Sequence, residues 1–257
     1  MKLITWNVNS VKQRLPRLEE LLELHQPDVV CLQETKAQAE AFPHQAFAAA
    51  GYQAVDYSAG RWAGVAILAK TSSQVSGVST GLFGEAAPDE ARWIEADVDG
   101  VRVASVYVPN GREIGTDPFH QKLVFLERMR DWVADRTDEP VAVAGDVNVC
   151  RTDLDVWDPQ LFIGATHVTG EERERLEAVL DAGLVDVFRQ RHPDEPGYTW
   201  WDYRAGAFHR GWGQRIDLVM ASPELAAGDG FVGTDREFRK GPKPSDHAPL
   251  IAELTRP

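Results

Sequence analysis

Residues 91–108, ARWIEADVDGVRVASVYV, decide how this chain is read. Two strand-length runs rich in Val, Ile and Ala flank Asp99-Gly100. Asp-Gly favours a type I′ turn, whose two central residues both need positive φ. The spacing therefore predicts a hairpin of 91–98 with 101–108. Working outward, similar runs recur at LITW (3–6), DVVCLQ (28–33), GVAILAK (64–70), PVAVAGDV (140–147), RIDLVMAS (215–222) and APLIAEL (248–254). Helical patterns lie between some of them. Residues 13–24 carry Leu15, Leu18, Leu21, Leu22 and Leu24 on one apolar stripe. Residues 117–135 begin with a proline, Pro118, where a helix accepts one. Residues 171–182 open on acids, which suit a helix N-terminus. No linker or low-complexity stretch divides 1–257, so a single domain is expected. Periodicity alone predicts a mixed α/β sandwich of layered sheets covered by helices.

Composition narrows the function. The 257 residues are 43% apolar and 26% charged, which is globular rather than disordered. No apolar run approaches the roughly 20 residues of a spanning helix, so no membrane role is expected. The opening MKLITWNVNS reaches polar residues too early for a secretory leader. Cys31 and Cys150 both sit in apolar runs, so a disulfide framework is not expected and a reducing cytoplasm is the default. The net charge of −13 argues against coating nucleic acid through bulk charge. It leaves room for one local basic surface, because charge is segregated. Residues 151–203 hold 5 Arg and no Lys against 12 acids, whereas 204–243 hold 7 basic residues against 5 acids.

Several strand ends carry side chains that a turn does not require. Asn7 and Asn9 follow LITW, Gln33 and Glu34 follow DVVCL, Asp146 and Asn148 follow VAVAG, and Asp246-His247 precede the last strand. Any one of them reads as a turn-capping or solvated residue. Four such ends converging on one rim read as a site. Carboxylate and amide oxygens are hard ligands suited to Mg²⁺ or Mn²⁺, and no Cys/His zinc spacing competes. Glu34 supplies a charged ligand, Asn7 a neutral one, and Asp246 can hold a ligating water. A site with few protein ligands leaves room for a phosphate.

WNVNS, LQETK, YVPNG, GDVNV, WWDYR, RIDLVMAS and PSDHAPL occur in this order. Together they resemble the exodeoxyribonuclease III family of abasic-site endonucleases, within the endonuclease/exonuclease/phosphatase superfamily. The likeness runs from Met1 to about Leu254. The resemblance implies a four-layer α/β sandwich, two mixed β-sheets face to face with helices outside. It implies one or two Mg²⁺ or Mn²⁺ ions held by Asn7 and Glu34, with Asp146, Asn148, Asp246 and His247 completing the set. Asp146 would orient or deprotonate the attacking water and Asn148 would stabilise the transition state. Tyr107 and Asn110 would face the phosphate, and Asp217 would pair with His247 and keep it cationic. Asp146 is then expected to stay ionised beside the metal.

The implied partner is double-stranded DNA with abasic sites or with blocked or recessed 3′ ends, bound by a monomer. Lys12, Arg14, Lys36, Arg61 and Arg112 stand beside the motifs as backbone-positioning candidates. The segment YTWWDYRAGAFHRGWGQRID (198–217) interleaves aromatics with Arg204, Arg210 and Arg215. It reads either as core packing or as an apolar pocket with a basic rim for a sugar flipped out of the duplex. Trp200 and Ile216 match the family's pocket positions. Gln214 stands where the family carries a bulky apolar residue, and Trp212 is the candidate to replace that wall. Glu171, Glu172 and Glu174 read as solvated helix surface. Two other functions stay open: a phosphoesterase of the same superfamily acting on small phosphoesters, and a non-catalytic DNA-binding homologue. WWDYR with its basic flank favours a DNA backbone over a small head group.

Overall fold

The computed structural model describes residues 1–256. In chain order the strands are β1 (Lys2–Asn7), β2 (Val29–Gln33), β3 (Tyr52–Tyr57), β4 (Val65–Lys70), β5 (Val75–Thr80), β6 (Trp93–Val98), β7 (Val101–Tyr107), β8 (Val141–Asp146), β9 (Val185–Asp186), β10 (Trp200–Trp201), β11 (Gly213–Gln214), β12 (Asp217–Ala221), β13 (Val232–Thr234) and β14 (Leu250–Glu253). Four of the helices matter here: α1 (Val11–His25), α2 (His44–Ala49), α3 (Asp117–Ala134) and α4 (Gly170–Asp181). One six-stranded sheet runs β13-β14-β1-β2-β4-β3 and the other runs β5-β6-β7-β8-β12-β9. Each is mixed, with parallel pairs β1–β2 and β7–β8 inside otherwise antiparallel ladders.

Alternation along the strands builds the layers. Leu3, Cys31 and Ile67 face Ile94, Val103, Ala144 and Val219 between the sheets. Their neighbours Ile4, Val30 and Leu68 point outward under Leu18, Leu21 and Leu22 of α1 and Phe47 of α2. On the far side Ala104, Val143, Leu218 and Met220 lie under Phe125, Leu126 and Met129 of α3 and Leu176 and Val179 of α4. The result is the expected four-layer sandwich. All eight apolar runs form strands, and the hairpin turns at Asp99 (φ 51) and Gly100 (φ 85), with Val98 opposite Val101. The longer strands the pattern did not mark, β3 and β5, lie at sheet edges. VSGVST of β5 is mostly exposed and carries no apolar alternation to detect.

Candidate active site

Strand register collects the functional side chains at one rim. Asn7 pairs with Gln33 at the ends of β1 and β2, while Tyr107 and Asp217 both lie opposite Asp146, on either side of β8. Gly145 lets β7 and β8 close this tightly, because a Cβ there would sit 1.9 Å from the Val106 carbonyl oxygen. The Ser245–His247 segment is tied on from outside. Ser245 Oγ donates to the Asn7 carbonyl (2.7 Å), and Trp6 Nε1 donates to the His247 carbonyl (3.0 Å). Backbone strain gathers here too. Among the described residues, seven of the eleven non-glycine residues with positive φ are Asn9, Ser10, Glu34, Lys36, Arg112, Asn148 and His167, all in or beside the rim. Strain concentrated in this way marks sites whose geometry is held by their surroundings.

The centre is an acid–imidazole cluster. Ligand atoms of Glu34, Asp146 and His247 all lie within 4.8 Å of one another. His247 Nδ1 donates to Asp217 Oδ2 at 2.8 Å, so its Nε2 faces Asp146 Oδ2, 3.8 Å away. Asp217 Oδ1 is buried without a hydrogen-bond partner, which leaves its charge for the imidazole. Burial opposes the imidazolium, but the Asp217 carboxylate overrides it and the His247 pKa is pushed up to about 10. Burial pushes Asp146 up to about 7; His247 pulls against this, while Asp217 and Glu34 add to it. Left to the protein alone, then, Asp146 is poised near neutrality, and a cation beside it favours the ionised form. Tyr107 is held well above the ordinary phenol range by burial and by the Glu34 and Asp146 carboxylates, so it stays a neutral donor.

The donor set fits a hard divalent cation. Two carboxylates crowd within reach of each other in a buried setting, and a cation between them offsets both repulsion and desolvation. Asn7 presents its amide nitrogen, donating to Glu34 Oε1 (2.8 Å) and Asp146 Oδ2 (3.0 Å), while its Oδ1 accepts from Asn9 N. To ligate, it must turn that amide over. Lys36 Nζ lies 2.7 Å from Glu34 Oε2 and donates to Asn9 Oδ1 at 2.6 Å. Asp246 lies outside the cluster, held by Asn9 Nδ2 (3.0 Å) and Trp200 Nε1 (3.1 Å). Asn148 is fixed by a bond from its own N to Asp146 Oδ1 and another from Nδ2 to the Val108 carbonyl. Asn110 is exposed and donates to Asn148 Oδ1 at 3.3 Å.

Two residues read as DNA contacts do structural work instead. Arg215 is fully buried, with Nε 2.6 Å from Asp155 Oδ1 and NH2 2.8 Å from Asp186 Oδ2. Its basic character among aromatics concealed two acids 60 and 29 residues away. Arg215→Met takes the fully buried guanidinium from both acids and leaves Asp155 to Arg189 and Asp186 to Arg151, so it should cost about 1–3 kcal/mol of stability. Denaturant melts check this, and an unchanged midpoint would return Arg215 to the surface. Arg14 is likewise buried, stapling Asn9 O, Tyr203 Oη and Pro244 O together. Glu172, read as solvated, is fully buried. Lys12, Arg61 and Arg112 are exposed as expected.

Beside the rim lies an apolar cluster of Cys150, Val156 and Ile216, edged by Trp157, Phe162, Val168 and Trp200. Trp212 stacks on Trp157 at 4.8 Å, so it extends this wall. Gln214 is buried opposite Trp200 and bridges to Val156 of the cluster. His167, which no sequence pattern marked, lies 3.2 Å from Asn110 Nδ2. Burial, with Lys122 nearby, pushes its pKa down to about 3, so the ring is neutral.

Known proteins resemble this chain in sequence and fold. The sequence model of the Endonuclease/Exonuclease/phosphatase family matches residues 4–247. Exodeoxyribonuclease III of Haemophilus influenzae is 32% identical, over 99% of this chain and 100% of its own. A 3′ phosphatase from Neisseria, solved bound to a product DNA hairpin, superposes with a TM-score of 0.95 at 38% identity, each chain covered completely. An AP endonuclease from Archaeoglobus fulgidus gives 0.94 at 36% identity, with 99% of each chain covered. Likeness from end to end, with the acid–imidazole rim at its centre, means that this chain belongs to the endonuclease/exonuclease/phosphatase family, on its exodeoxyribonuclease III branch.

Proposed function

We propose that this chain is a DNA-repair hydrolase that cleaves phosphodiester bonds 5′ to abasic sites and processes the 3′ ends of duplex DNA. The observation that carries this is the convergence of Glu34, Asp146 and the Asp217–His247 pair beside an apolar cluster. Asp146 orients the attacking water and takes its proton. His247, held cationic, donates to a non-bridging oxygen, with Tyr107, Asn110 and Asn148 as neutral donors around the phosphate. Glu34, Asn7 and Asp146 would hold Mg²⁺ or Mn²⁺, which supplies Lewis-acid stabilisation of the phosphate charge when bound. Lys12, Lys36, Arg61 and Arg112 position the backbone, and the protein works as a monomer of one domain. Both cysteines are free and buried, and no helix among the described residues is long and apolar enough to cross a membrane. The free, buried thiols support action in a reducing compartment, the cytoplasm. The test is purified protein with Mg²⁺, offered an abasic duplex, a recessed 3′ end and an inositol phosphate. Turnover of the inositol phosphate alone would refute the reading.

One observation weights the two DNA activities. Gln214, opposite Trp200 and Val156, and His167, beside Val168, put polar groups next to the cluster that would face a flipped deoxyribose, a poor match for an apolar sugar. This favours 3′-end processing over abasic incision. Gln214→Leu and His167→Ala should each raise abasic incision relative to 3′-end release by roughly 10- to 100-fold, the scale of apolar contact changes in a pocket. Unchanged ratios in both variants would remove these residues from the substrate's path.

A further inference from the structure

Behind the rim, Lys122 of α3 is fully buried, and its Nζ pairs with the equally buried Glu172 of α4. Nζ also donates to the Asn148 carbonyl (2.6 Å), to the Asn110 carbonyl (3.3 Å) and to Thr166 Oγ1 (3.3 Å). Glu172 in turn accepts from Thr166 Oγ1 (2.7 Å), His167 N (2.9 Å), Thr169 N (3.0 Å) and Thr169 Oγ1 (2.8 Å). One ion pair thus holds three loops that are far apart in sequence. Their side chains meet on the other side, where the Asn110 amide reaches both Asn148 and His167. Gly111 makes room for the lysine stem, since a Cβ there would stand 3.0 Å from both Lys122 Cδ and Thr166 Oγ1. A buried ion pair gains little stability over well-packed apolar residues. What it does give here is direction: with Glu172 holding the ammonium, its N–H groups reach two separate carbonyls, those of Asn110 and Asn148, and each carbonyl fixes the amide plane of a site residue.

We propose that Lys122, held by Glu172, is a positioning residue for the reaction, setting Asn110 and Asn148 against the phosphate through their backbone carbonyls. The inference rests on the nuclease reading above. Neither residue touches substrate, so the effect belongs to turnover rather than to DNA binding. The experiment uses the full chain with Mg²⁺, a duplex with a recessed 3′ end, and variants K122M/E172M and K122R. The double substitution removes both charges together and leaves no buried ion alone. It is expected to melt near the parent temperature, with kcat reduced on the order of 10- to 100-fold, the scale of a small misplacement, and KM close to the parent's. K122R keeps the charge but not the ammonium's geometry, so its kcat should fall between the parent's and the double variant's. A folded double variant with parental kcat overturns the proposal. Should the double variant not fold, K122R decides: lower kcat at parental KM supports positioning, and parental kcat refutes it. A parent that releases nothing from DNA refutes the nuclease reading itself, so the two failures are distinct.

Discussion

Asp146→Asn is expected to lower kcat by about 10²–10⁴-fold, the range that a positioned proton acceptor contributes. The amide preserves shape and the bond from Asn148 N, but it cannot take a proton. Chelating the divalent cation should abolish turnover outright, and Mg²⁺ or Mn²⁺ should restore it. The pH profile supplies a sharper check. As pH falls through about 7, Asp146 gains a proton and the rate of the parent should fall. As pH rises through about 10, His247 loses its charge and the rate should fall again. Because these groups face one another, the two limbs report the cluster rather than either residue alone. A cation beside the carboxylates favours their ionised form, so raising Mg²⁺ should move the acid limb to lower pH. An acid limb indifferent to Mg²⁺ would separate Asp146 from the metal.

Asp217→Asn and His247→Asn are each expected to cost roughly 10²-fold or more in kcat, and the double variant little more than the worse single. The reason is geometric. His247 Nδ1 has one partner, Asp217 Oδ2, and the imidazole's charge and orientation both depend on it. Removing the carboxylate frees the ring and lowers its pKa, so the alkaline limb of Asp217→Asn should move toward neutrality. Multiplicative losses in the double variant would mean that the two residues act separately.

Much of this was legible in the residues, for identifiable reasons. Apolar runs buried on both faces need only composition and length to be recognised, and β1, β2, β4, β6, β7, β8, β12 and β14 all lay where such runs stood. Asp99-Gly100 specified its own turn because the required φ values are local. Asn7, Glu34 and Asp146 were visible as polar residues ending apolar strands, and Asp217 only through the resemblance that RIDLVMAS helps to carry. His167 was not, since one histidine in a loop between Thr166 and Val168 breaks no pattern. Glu172 was misread because the acids opening a helix look alike until the neighbour on one face is known.

The sequence by itself determined the layers and the chemistry: strand periodicity, turn chemistry, and hard oxygen ligands at strand ends are properties of adjacent residues. Only the tertiary structure decided what each charge does. Arg215 and Arg14 are basic in any reading, yet one is buried between Asp155 and Asp186 and the other staples three loops, while Lys12, Arg61 and Arg112 stay exposed. Asp146 is shifted up to about 7 by burial, with Asp217 of β12 and Glu34 just after β2 adding to the shift and His247 pulling against it. The energy of a charge depends on how much water it loses and on which charges and donors replace that water. Those replacements come from residues distant in the chain, so no local pattern can specify them.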